Sequence, residues 1–63
     1  MDDIDTTNDF LVSSGPSGGV RIMMLPTGPI GKEQALRLAA WLVAMTGSNM
    51  GDLEPVYEAV ANT

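Results

Sequence analysis

The chain has no cysteine and no histidine among its 63 residues. Without Cys, no disulfide can staple the fold and no thiolate can hold a metal. Without His, the commonest zinc ligand is missing, as is the one side chain that ordinarily titrates near neutrality. No metal site and no cofactor is expected. The usual nucleophile–base pairs of covalent catalysis are excluded on the same grounds. Glu54 and Glu58 come nearest to paired carboxylates, one turn apart on a predicted helix, but a turn of surface acids is ordinarily just solvated. A chain this short also cannot enclose a pocket of ~300 Å³ by itself. An enzyme is not expected.

Positive charge is scarce as well. Arg21, Lys32 and Arg37 are the only cations against eight acids, for a net charge of −5. Three cations cannot build the basic stripe that nucleic-acid binding requires. Four of the acids, Asp2, Asp3, Asp5 and Asp9, crowd the N-terminus. Long apolar runs are missing too. The longest, Leu38 to Met45, is far below the ~20 residues that span a bilayer, and the acidic N-terminus lacks the apolar core of a secretory signal. These features predict a cytoplasmic protein with no membrane partner.

What remains is one small domain. A chain of this size buries only ~60% of its unfolded surface and is marginally stable alone. With disulfides and metals excluded, self-association is the remaining remedy, and a homo-oligomer is expected.

Residues 1–8 are polar and charged and read as a flexible acidic tail. Residues 9–63 read as a single ββαα domain. Phe10, Leu11 and Val12 signal a first strand, Ser14 to Gly19 a Gly/Pro turn, and Val20 to Leu25 a second strand, which together make a hairpin. One face of it carries Phe10, Val12, Val20, Ile22 and Met24. The other carries Leu11, Met23 and Leu25, where a two-stranded sheet facing water should be polar.

A breaker segment, residues 26–31, leads into the main helix, Lys32 to Thr46, capped by Gly31 or Thr27 and closed by Gly47. Glu33 and Arg37 stand in the favourable i,i+4 order. Apolar side chains cover well over half of this helix, leaving Glu33, Arg37, Ala40 and Ala44 for water and Trp41 at the edge of the apolar arc. Asp52 is the expected N-cap of a short amphipathic helix over 53–61, with Pro55 in its first turn and Leu53, Val56, Tyr57 and Val60 along one side. The fold class is therefore α+β, a hairpin packed on one long helix plus a short C-terminal helix. Leu11, Met23, Leu25, Trp41, Met45 and Tyr57 are the candidate oligomer interface.

Gly28, Gly31 and Lys32, placed between a strand and a helix N-terminus, suit an anion. The spacing fails the Walker pattern, with Pro26 where Gly is required and Glu33 where Ser or Thr is required. Arg21 and Arg37 could grip a phosphate or a carboxylate, and Trp41 could stack on a flat ligand. Each also has a plainer role, as surface charge or packing. These six residues form the candidate ligand site.

Residues 28–44, Gly-Pro-Ile-Gly-Lys-Glu-Gln-Ala-Leu-Arg-Leu-Ala-Ala-Trp-Leu-Val-Ala, and the ending Val56-Tyr57-Glu58-Ala59-Val60-Ala61-Asn62-Thr63 resemble small uncharacterised phage and prophage proteins of the anti-defence type. The resemblance covers about two-thirds of the chain and consists of size and polarity, not chemistry. It implies an anti-defence factor acting in an infected bacterial host, and the first reading within that class is a sponge: a compact oligomer that sequesters a nucleotide immune signal (a cyclic dinucleotide or an ADP-ribose derivative) at subunit interfaces without cleaving it. The alternatives are a protein-binding inhibitor of a host defence protein, comparable to anti-CRISPR proteins, and a structural or accessory phage protein.

Overall fold

A computed structural model describes residues 3–63. Two short antiparallel strands, β1 (Val12–Ser14) and β2 (Val20–Ile22), precede two helices, α1 (Lys32–Met45) and α2 (Met50–Ala61). The α+β hairpin-then-helices architecture is as expected.

The hairpin closes where Pro16 and Ser17 fill the corner and Gly18 adopts φ +81°. The Gly18 N–H donates to the Gly15 carbonyl at 3.2 Å and the Gly15 N–H to the Gly19 carbonyl at 2.7 Å. A side chain at φ +81° would be strained, so glycine is required there. The register pairs Val12 with Ile22 and Ser14 with Val20. Pairing continues past β1 as the Met23 and Met24 N–H groups donate to the carbonyls of Leu11 and Phe10.

In this register the N–H and C=O of Val12 point away from β2. Asn8 takes both: its side-chain oxygen accepts from the Val12 N–H at 2.9 Å, and its amide donates to the Val12 carbonyl at 3.0 Å. The side chain thus stands in for one residue of a third strand and covers part of the open edge. To bring Asn8 there the chain turns over Asp9 and Phe10, closed by the Leu11 N–H donating to the Asn8 carbonyl at 3.2 Å, and Leu11 takes a φ of +49° that is costly for a bulky side chain.

β1 packs on α1. Only Phe10 (8% exposed) and Val12 (3%) are buried among the described residues. Val20 and Ile22 are half-buried on the same face, whereas Met24, expected with them, is exposed. On the opposite face Leu11, Met23 and Leu25 are all exposed. Neither α1 nor α2 covers that face.

Gly31 is the N-cap of α1. At its other end the Gly47 N–H donates to Ala44 and the Ser48 N–H to Val43, with Gly47 at φ +76°. This is the full Schellman arrangement, in which glycine supplies the left-handed residue. α2 begins three residues earlier than expected. Its N-cap is Asn49, not Asp52, and the two form a reciprocal capping box at 3.0 and 3.1 Å. Asp52 sits three residues into the box, where its carboxylate accepts from the cap's own N–H. Pro55 consequently lies inside the helix rather than in its first turn.

Candidate functional site

Residues 3–8 do not stand clear of the domain. They run along α1 as a strap, held by two residues of that helix. Arg37 donates from Nε to Asp9 Oδ2 at 2.9 Å, and its Nη1 lies 3.4 Å from Asp5 Oδ2. One turn on, the Trp41 indole N–H donates to the Thr6 carbonyl at 3.2 Å. Residues 1–2, the rest of the expected tail, lie outside the described residues.

Arg37 is therefore not on a wet face. Its side chain is 17% exposed, because the acidic segment folds over it. Its ion-pair partners among the described residues are Asp5 and Asp9 rather than Glu33, which acts on it only at longer range. The hydrogen bond to Asp9, followed by the charges of Asp5, Asp9 and Glu33, raises the guanidinium pKa against the opposing effect of desolvation. The Asp5 carboxyl is held below its ordinary range, first by the Thr7 hydroxyl, which donates to it at 2.6 Å, then by the Thr7 N–H and the charge of Arg37.

Strap and helix flank a groove of about 470 Å³ that is open to solvent and not an enclosed pocket. Leu36, Ala40, Trp41 and Ala44 form its helical wall, Ile4 and Thr6 the strap wall, and the Asp5–Arg37 pair one side. Ala40 and Ala44, being small, let an incoming group approach the α1 backbone closely. A second hollow of about 380 Å³ continues past Leu36 toward Asp3 and Glu33. The groove thus has an apolar floor and an acidic end, and its one cation already answers to two carboxylates.

Of the six expected ligand residues, the groove unites Arg37 and Trp41. Arg21 lies on β2 opposite Ser13, exposed and on another element. Lys32 opens α1 and is exposed, with Gly28 and Gly31 in the loop before it. Neither glycine has a positive φ, and a Cβ at either would meet nothing within 4 Å. The loop therefore shows neither the conformation nor the close approach that makes a glycine-rich phosphate cradle. Among the expected interface residues, Leu11, Met23, Leu25 and Tyr57 are exposed while Trp41 and Met45 are half-buried.

Sequence reasoning missed Ile4, Asp5, Thr6 and Leu36. The signal for the strap was present as two acids four residues apart and a lone arginine with apolar neighbours. Nothing local joins Asp9 to a residue 28 positions away.

Among the described residues no cluster of acids could hold a metal ion, and no helix is long and apolar enough to cross a membrane. The fold is a small α+β domain with an open groove along α1. Comparison with protein-family models, curated proteins and solved structures finds no match for the chain.

Proposed function

We propose that the protein acts by binding another protein and carries out no chemistry. The groove along α1 takes an apolar segment flanked by basic residues, as an amphipathic helix docked in a groove would present them. One observation carries this reading: the groove is apolar along its floor and acidic at its end (Asp3, Asp5 and Glu33), while Arg37 is already matched by two carboxylates. Such a site favours basic partners and disfavours polyanions. In a phage setting, the partner would be a host defence protein and the consequence inhibition.

Trp41 is the only tryptophan and lines the groove, so its emission reports occupancy. Titration with a short helical Leu/Lys amphipathic peptide should give a saturable blue shift. Asp3→Asn combined with Glu33→Gln should weaken binding about tenfold by removing rim charge. An unchanged spectrum at saturating peptide would overturn the reading.

Nucleotide sequestration is the second reading, favoured by the meeting of Arg37 and Trp41 in one groove. It requires Arg37 to exchange its carboxylates for phosphate. A Trp41 response to a cyclic dinucleotide or to ADP-ribose, with none to the peptide, would select it.

A further inference from the structure

We propose that the apolar stripe of α2 is a self-association surface, covered by α2 of a second copy of this chain. The proposal does not rest on the function of the groove, which lies elsewhere on α1. Leu53, Val56, Tyr57 and Val60 are spaced three and four apart and share one side of α2. Leu53 is half-buried, whereas Val56, Tyr57 and Val60 are 59%, 64% and 68% exposed. Near the start of α2, Leu53 and Val56 face Leu42 and Val43 of α1 across an open crevice of about 230 Å³. The crevice leaves the facing sides of the two helices incompletely covered. A twelve-residue helix is marginal in water by itself, and no residue of α2 is buried. This helix lacks the cover that would hold it.

Surface area points to what supplies the cover. A compact 6.6 kDa chain should expose roughly 3,900 Å². This one exposes 5216 Å². The excess, roughly 1,300 Å², exceeds the ~800 Å² that each partner contributes to a standard stable interface. That surplus is shared by Ile4 on the strap, Leu11, Met23 and Leu25 on the hairpin, and Val56, Tyr57 and Val60 on α2, so the stripe supplies part of it.

Charge does not bar a second copy as the partner. Although the chain carries a net charge of −5, none of its charged residues belongs to the stripe. Glu54 and Glu58 lie on the flank, and Asp52 is occupied by the Asn49 cap. Two copies can bring their stripes together about a two-fold axis, with the flanking acids left in water. A helix face that is apolar throughout suits this isologous contact, in which the same patch serves both partners.

The absence of native cysteine makes the test direct. Val56→Cys places a thiol of similar size mid-stripe, and Met23→Cys places one on the other exposed apolar face, that of the hairpin. With a short bis-maleimide, Val56→Cys should yield a covalent species of twice the 6.6 kDa chain mass, and Met23→Cys should remain single. Tyr57→Asp should convert the protein to a monomer by light scattering while leaving Trp41 emission unchanged, which shows that the hairpin and α1 stay folded. A wild-type monomer at micromolar concentration, no cross-link at position 56, or equal cross-linking at position 23 would each overturn the proposal. Peptide binding at the groove, read from Trp41, is scored separately and can fail without affecting these outcomes.

Discussion

Arg37 shows how one side chain can organise a molecule with so little core. It binds Asp5 and Asp9 together and so joins the strap, the approach to β1 and the middle of α1. The partner geometry also sets a pH response. The folded-state pKa of Asp5 is lowered by its Thr7 hydrogen bonds and by Arg37, so ionised Asp5 favours the folded strap. That contribution is complete above the unfolded carboxyl value of about 3.9 and is lost as pH falls through the lowered folded value. With no histidine in the chain, Trp41 emission should be flat from neutrality down to mildly acidic pH. It should then shift to the red below about pH 4 as the strap lifts and the indole loses Thr6. Asp5→Asn should blunt that acid transition. A transition centred near neutrality would contradict the strap's assigned chemistry.

At the scale of elements, the four segments were legible because each announces itself locally. Gly18 and Pro16 mark the hairpin turn, Gly47 ends α1, and the spacing of Leu53, Val56, Tyr57 and Val60 marks α2. The start of α2 was misplaced because Asp52 satisfies the usual description of a cap. Asn49 satisfies it equally, and only the reciprocal bonds decide between them. Asn49→Ala should therefore cost about 1 kcal/mol, seen as lost helicity in circular dichroism, and Asp52→Ala should act through the same box. If Asn49→Ala were neutral while Asp52→Ala unfolded α2, the cap would be Asp52 after all. The strap and groove were not legible for a different reason. They depend on Asn8 finding the free edge of Val12 and on acids finding Arg37 across a long stretch of chain. No periodicity encodes such meetings. Low hydrophobicity and dense charge made residues 3–8 look like a tail, and one of those charges, Asp5, together with the Thr6 carbonyl, binds them to α1.

At the scale of the whole molecule, two apolar surfaces with different electrostatic surroundings should respond to salt in opposite directions. The α2 stripe is uncharged, but pairing it brings two chains of net charge −5 together. Repulsion between the copies reaches across a Debye length of ~30 Å in 0.01 M salt and only ~8 Å in 0.15 M. Raising the salt concentration should therefore strengthen self-association, and the thermal midpoint should rise both with salt and with protein concentration. The groove behaves the other way. Its attraction for a Leu/Lys peptide comes partly from Asp3, Asp5 and Glu33 at its end, and the same screening weakens it. Light scattering and Trp41 titration across this salt range should thus diverge, with tighter dimer and weaker peptide binding. Self-association that weakened with salt would mean that charges, not the stripe from Leu53 to Val60, hold the copies together. Peptide binding that strengthened with salt would reduce the acidic rim to a bystander and leave the apolar wall of Leu36, Ala40 and Trp41 as the source of affinity.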